Sequence, residues 1–308
     1  TTEIYTLSLH DALPISVSDA MQFFSRAFAR ALTATDAAER LPANGGDEPE
    51  PPAPERFLLA ARVAGALSYA SDIARVVYQD RPSQLEFIRS QLKSQRIQSF
   101  ASALIRDKLE KELMERLTRA GIDVMPYKGR SLERWLELPE FCRPVGDIDL
   151  YIPADCLEKA RPVLIDAGWS DDIAGQPIPI EKYDSPFTHS SGAHLELHFR
   201  MKQDLPDALN AALWTDSQPI EYLGVAARAP NPSHLFILLA HHYILHTWTT
   251  AFKWTADLIA FCAALNNVRR PRYLQSLTVE KVVADATKYN AAFQVICAVR
   301  IVRNLSGV

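Results

Sequence analysis

Asp147 and Asp149 stand two residues apart in Gly146-Asp-Ile-Asp-Leu-Tyr-Ile152, a β-branched and aromatic run entered through Pro144-Val-Gly146. Side chains alternate across a strand, so both acids are expected on one face. Carboxylates held that close repel each other when ionised, and a bound divalent cation relieves the repulsion. The pattern reads as a Mg²⁺ site. An isolated Asp-x-Asp also occurs on solvated strands and turns, and a chain with 37 acidic residues can hold one by chance. The surrounding residues therefore decide between the two.

Upstream, the apolar Val124-Met-Pro-Tyr127 runs into Lys128-Gly129-Arg130-Ser131 and then into a helical pattern ending near Leu138. A turn at a helix start offers free backbone N–H groups to phosphate. Glycine allows a close approach there, and Lys128 and Arg130 add positive charge. Lys128 on a solvated turn is the alternative. Arg143, four residues before Asp147, can grip phosphate oxygens in a bidentate fork or pair with a neighbouring carboxylate. A third acid lies in His194-Leu-Glu-Leu-His198, where His194, Glu196 and His198 share one strand face and Leu195, Leu197 and Phe199 the other. With that strand beside the Asp strand, Glu196 completes a carboxylate triad. A pair of divalent ions held by such a triad can activate a hydroxyl and stabilise a leaving pyrophosphate. His198 either orients a phosphate or carboxylate or simply fills its strand face.

The order Lys128-Gly129, Arg143, Asp147-Ile-Asp149, Glu196-Leu-His198, His242, His246-Thr-Trp248 and Trp254-Thr-Ala-Asp257 resembles the uncharacterised nucleotidyltransferase family of the polymerase-β-like superfamily, over roughly residues 100 to 265. The resemblance implies an α+β fold: a mixed sheet flanked by helices, with N-terminal helices and a C-terminal helical region. It implies Asp147, Asp149 and Glu196 as catalytic acids holding a pair of Mg²⁺ ions. Lys128, Gly129, Ser131, Arg143, His198 and His246 would surround the NTP. The wider superfamily usually has Gly-Gly or Gly-Ser at the turn, whereas this chain has Gly129-Arg130-Ser131. The Lys-Gly form fits the narrower family.

The function implied is Mg²⁺-dependent transfer of a nucleoside monophosphate from an NTP to an unknown hydroxyl or phosphate acceptor. A degenerate nucleotide-binding or scaffold module without chemistry is the first alternative. A metallohydrolase at His241, His242 and His246 is the second: His242 and His246 stand four apart on one helix face, but Tyr243 fills the glutamate place of H-E-x-x-H. Trp248 and Trp254 either stack a base or pack in the core.

At 308 residues and 48% hydrophobic content the chain can bury a substantial core. A net charge of −4 and the lack of a long basic run argue against a duplex nucleic-acid surface and for a nucleotide and a small acceptor as partners. Cys142, Cys156, Cys262 and Cys297 form no C-x-x-C pair, so no zinc or redox signature exists and reduced, cytoplasmic thiols are expected. Cys142 lies near the acids, where packing is preferred to a nucleophilic role. No apolar run reaches about 18 residues, and no transmembrane helix is expected. The opening Thr1–Ile15 resembles a translated sequencing-adapter read-through. Residues 1–16 are set aside as non-native, with the product expected to start near Met21 or to have lost its true N-terminus.

These motifs need elements to hold them. Residues 17–120 read as an N-terminal helical region: a helix over 17–40 with Met21, Phe24, Phe28 and Leu32 on one stripe, a Pro- and Gly-rich linker over 41–54, and helices over 55–79 and 83–120, the last striped by Leu104, Leu109, Leu113 and Leu117. Residues 121–230 read as the nucleotidyltransferase α/β core, with strands over 122–127, 146–152, 169–173, 184–190 and 193–200. Helices fall over 130–138 and 154–167, the second stopped by Gly168, and Ser190–Ala193 makes a hairpin turn. Residues 231–308 read as a C-terminal helical region capped at its start by Ser233.

Overall fold

Alternation in two short segments organises the sheet. In the computed structural model, which describes residues 16–33, 51–144, 146–173, 183–201, 205–245, 252–266 and 271–307, these segments are β2 (Ile148–Tyr151) and β5 (His194–His198), paired in parallel. Antiparallel partners complete a mixed five-stranded sheet, with β1 (Met125–Pro126) beside β2, and β4 (Asp184–His189) then β3 (Trp169–Asp171) beyond β5. The β2–β5 register pairs Ile148 with Leu195, Asp149 with Glu196, Leu150 with Leu197 and Tyr151 with His198. Apolar partners thus occupy one face and polar partners the other.

The apolar face belongs to a core shared with Leu113, Met114 and Leu117 of α4 (Pro82–Arg119) and Leu157 and Leu164 of α6 (Leu157–Asp166). Tyr151, on the polar face, belongs to a second core that includes Leu209 and Leu213 of α7 (Asp207–Thr215) and the helical half of the chain. In that half α1 (Val17–Thr33) packs on α9 (Phe252–Leu265) and α11 (Ala292–Ser306), and α8 (Pro232–Leu245) packs on α9, α10 (Val279–Lys288) and α11. The polar sheet face therefore lies between the strands and a helical lobe. Among the described residues no helix is long and apolar enough to cross a membrane.

Several expected elements hold their places. Phe24, Phe28 and Leu32 are buried along α1, Gly168 takes φ +87° just past α6, and Gly192 takes φ +82° in the turn between β4 and β5. The linker positions before residue 51 and the expected end of the first helix lie outside the described residues. The helix expected over 55–79 is instead α2 (Pro54–Val63) and α3 (Leu67–Val77). Between them Gly65 adopts φ +65°, with Ala66 N–H donating to Ala61 O at 2.7 Å and Gly65 N–H to Arg62 O at 3.1 Å. That is the Schellman pattern, which ends a helix. Leu104, read as part of the α4 stripe, is 47% exposed, because the buried face there passes through its neighbour Ala103 and on through Glu110, Leu113, Met114 and Leu117. The cap of α8 is Asn231, whose Oδ1 accepts from Ser233 N–H at 3.0 Å, and not Ser233. A hairpin of β6 (Gln218–Tyr222) and β7 (Val225–Ala229), turned by Leu223 and Gly224 at φ +56° and +77°, extends from β1 through Arg228 N–H to Val124 O at 2.9 Å.

Behind this hairpin Glu110 of α4 is buried and accepts from the Tyr222 hydroxyl at 3.3 Å. Burial and the neighbouring Asp107 push its pKa up to about 8, while Tyr222 and Arg134 pull the other way. The unfolded carboxyl ionises near 4.5, so between these values the folded chain holds a proton that the unfolded chain has lost. The stability from this group is full below the lower value and disappears as pH rises through the higher one. Glu110→Gln is expected to flatten the pH dependence of the urea midpoint between about pH 5 and 8 and to be more stable than wild type at pH 8 by on the order of a few kcal/mol. An unchanged slope in the variant would show that Glu110 titrates normally.

Candidate active site

Parallel pairing of β2 and β5 sets Asp149 opposite Glu196, with His198 one step further along the same face. The two carboxylates and the imidazole each offer a ligand atom within 4.8 Å of the others. His198 Nε2 lies 3.4 Å from Asp149 Oδ1 and 3.3 Å from Glu196 Oε2. Nε2 is buried, and its approaches to the two carboxylate oxygens are too long for close hydrogen bonds. The ring is held edge-on to Tyr127, with centroids 5.1 Å apart, and stacked on Tyr183 at 6.0 Å.

This donor set fits a divalent cation. Adjacent ligands of an octahedral ion with bonds near 2.1 Å stand about 3 Å apart, close to the separations seen here. The local charges fit as well. Burial works to raise the Asp149 pKa, but Lys128, whose Nζ lies 3.4 Å from Oδ1, together with His198 and Arg143 outweighs it and holds the carboxyl well below its usual range. His198 holds the Glu196 carboxyl down against burial and the repulsion of Asp149.

Asp147 stands apart from the close group. It is half-buried just before β2, and burial, then Glu196 and Asp149, push its pKa up. The expected ligand set was Asp147, Asp149 and Glu196; the close set is Asp149, Glu196 and His198. Asp147 immediately precedes β2, which begins at Ile148, and it still feels the charges of Glu196 and Asp149.

The Lys128-Gly129 turn leads into α5 (Arg130–Trp135), with Gly129 at φ +61°, a conformation that suits glycine. Ser131 is buried, and its hydroxyl donates to Lys128 O at 2.7 Å, so it shapes the turn from behind. Arg130 points away from the acids, to Asp107 of α4 at 3.2 and 3.3 Å and to Glu133. Of the two readings for Arg143, the geometry selects the carboxylate pair: Nε and Nη2 each lie 2.9 Å from an oxygen of Asp257, a residue of α9, while Nη1 donates to Gly129 O at 3.2 Å. Both side chains are buried. Glu133 fixes the approach to β2 by accepting from Phe141 N–H at 2.8 Å and Arg143 N–H at 2.9 Å. Sequence reasoning missed Glu133 and Asp107; the available signal for Glu133 was an acid placed between Arg130 and Arg134, and Asp107 had none.

Lys253 of α9 is in the field of the same acids. Burial and Arg143 lower its pKa, and Asp149, Asp257 and Asp147 act in the opposite sense. His246 and Trp248 lie outside the described residues. His241 is buried in α8 and His242 meets Trp254 edge-on at 5.1 Å, so these adjacent residues diverge around the helix instead of converging on an ion. Cys142 is buried, and burial pushes its thiol up, in keeping with packing. A cavity of about 530 Å³ lies past the ends of β2 and β5, lined by Tyr151, Arg200, Asp207, Asn210 and Trp214 among others. None of the three close ligands lines it, so the chemistry is placed by the donor atoms and not by this cavity.

No curated protein matches the chain. Among solved structures, the solution structure of the antibiotic-resistance factor ANT(2'')-Ia is similar at 10% identity with a TM-score of 0.42, over 62% of this chain and 96% of that one. Residues 53–307, which span both the sheet and the helical lobe, match the family described as uncharacterised nucleotidyltransferase. A match over most of its length, with the carboxylates and the glycine turn inside it, means that the chain belongs to the uncharacterised nucleotidyltransferase family.

Proposed function

We propose that this chain transfers a nucleoside monophosphate from an NTP to a hydroxyl or phosphate acceptor, with release of pyrophosphate, in a Mg²⁺-dependent reaction. The observation that carries the reading is the convergence of Asp149, Glu196 and His198 within 4.8 Å, with Lys128 at the entrance to the glycine turn reaching the same carboxylate. A pair of Mg²⁺ ions, when bound, supplies Lewis-acid stabilisation of phosphate charge and acidifies the attacking hydroxyl.

The chain's own residues do the rest. Asp149 and Glu196 provide the ionised oxygens, and Asp147 is the nearby acid that joins them once positive charge offsets the repulsion it feels. Glu196, with its side chain 40% exposed, is placed to take the proton of the acceptor hydroxyl. Lys128 turns from Asp149 to a phosphate oxygen, and the Gly129 turn, with no side chain in the way, lets the backbone approach the triphosphate. Ser131 and Arg143 act from behind, holding the shape of the turn through Lys128 O and Gly129 O.

The test is transfer of label from α-phosphate-labelled NTPs into cell-extract acceptors, with pyrophosphate measured in parallel. Transfer is expected only with a divalent ion present. Lys128→Met is expected to raise KM for the NTP by roughly tenfold to a hundredfold, since it removes one charge-assisted phosphate contact. Failure of every NTP to give metal-dependent label transfer or metal-dependent binding by calorimetry would leave a scaffold as the better description.

A further inference from the structure

We propose that His198 is itself a metal ligand through Nε2, which makes this a mixed carboxylate and imidazole site that takes Mn²⁺ in preference to Mg²⁺. The inference rests on the reading that a divalent ion works here and goes beyond it in naming the donor atom and the ion.

The argument starts from what the imidazole lacks. His198 is 2% exposed, and its Nε2 is buried without a close hydrogen-bond partner. A buried nitrogen whose contacts are two long approaches to carboxylate oxygens is poorly satisfied, and an ion set among the three donors would satisfy all of them. The atom is also aimed at one place. Nε2 sits almost equally far from Asp149 Oδ1 and Glu196 Oε2, 3.4 and 3.3 Å, longer than close hydrogen bonds to a carboxylate and near the spacing of neighbouring donors around one ion.

The ring is not free to turn away. Strand pairing fixes its backbone opposite Tyr151, and Tyr127 and Tyr183 close on it edge-on and face-on. One nitrogen and two carboxylate oxygens converging from a rigid pair of strands leave the other coordination positions open for phosphate oxygens and water. The two carboxylates suit Mg²⁺ and Mn²⁺ alike, but Mg²⁺ dehydrates reluctantly and demands near-ideal oxygen geometry, whereas Mn²⁺ shares those oxygen ligands and accepts a nitrogen donor beside them more readily.

The test is Mn²⁺ titration of the full chain, read by the loss of the free-ion electron paramagnetic resonance signal, with Mg²⁺ as competitor. Electron spin echo modulation then reports any nitrogen bonded to the ion. The expected result is an affinity for Mn²⁺ at least roughly tenfold above that for Mg²⁺, with ¹⁴N modulation that changes to the ¹⁵N pattern when histidine is isotopically labelled. His198→Gln, or His198→Asn should the first variant not fold, is expected to lose the modulation and to bind Mn²⁺ at least tenfold more weakly. Bound Mn²⁺ that is displaced in Asp149→Asn yet shows no nitrogen coupling, or coupling that survives in the His198 variant, overturns the proposal and leaves the nucleotidyltransferase reading intact. If neither ion binds, with or without NTP, both readings fall together.

Discussion

Asp149→Asn is expected to lower nucleotidyl transfer by roughly a thousandfold or more, a loss of about 4 kcal/mol in transition-state stabilisation, while the chain stays folded. Asp149 is the residue on which the site converges. Its Oδ1 is 3.4 Å from both Lys128 Nζ and His198 Nε2, and its backbone is paired opposite Glu196. The carboxamide keeps the shape and loses the charge, so a cation would lose an anionic ligand without a cavity being opened. The stability cost is that of a partly exposed ion pair with Lys128, on the order of 1 kcal/mol. Initial rates of label transfer beside a thermal melt separate the two effects. Wild-type turnover by a folded variant would remove Asp149 from the reaction.

A second large effect is expected far from the reacting atoms. Asp257→Ala should destabilise the fold by roughly 3–5 kcal/mol, because it strands the guanidinium of Arg143 in a dry interface. Arg143 is 6% exposed, and its guanidinium makes two 2.9 Å contacts with the carboxylate. Burial works to lower the Arg143 pKa, but Asp257 outweighs it, so the group stays charged and cannot escape the cost by losing its proton. Replacing both partners, Asp257→Ala with Arg143→Met, should recover much of the lost stability, since no uncompensated charge remains. Transfer activity should not recover with it, because Gly129 O has then lost its tie to Nη1. Urea midpoints and rates measured on the same set of variants distinguish a structural pair from one that positions the turn. A midpoint for Asp257→Ala within about 1 kcal/mol of wild type would mean that Arg143 finds another partner and that the tie between the lobes is not essential.

Both results depend on features of different legibility. Periodicity alone divided Leu195 and Leu197 from Glu196 and His198, and the two faces of β5 follow it. Turn chemistry marked Gly168 and Gly192, and both have positive φ. The same local rules did not anticipate the break at Gly65 or the hairpin at Leu223-Gly224, where one or two residues of backbone geometry outweigh a longer pattern. They also drew β2 longer than Ile148–Tyr151, which leaves Asp147 one residue outside it.

What the chain determines by itself is therefore which side chains share a face, since that is set by backbone repeat within a few residues. The choice of partner is a different matter. Arg143 carries the same fork whether it meets a phosphate or a carboxylate, and only the approach of α9 to the segment before β2 brings in Asp257, 114 residues later in the chain. His198 reads either as a group that orients a phosphate or carboxylate or as a filler of its strand face, until parallel pairing sets its nitrogen against two carboxylates from neighbouring strand positions. Local geometry assigns the chemistry each residue can offer, and only tertiary contact, which depends on desolvation and on elements distant in sequence, decides which of those offers is taken up.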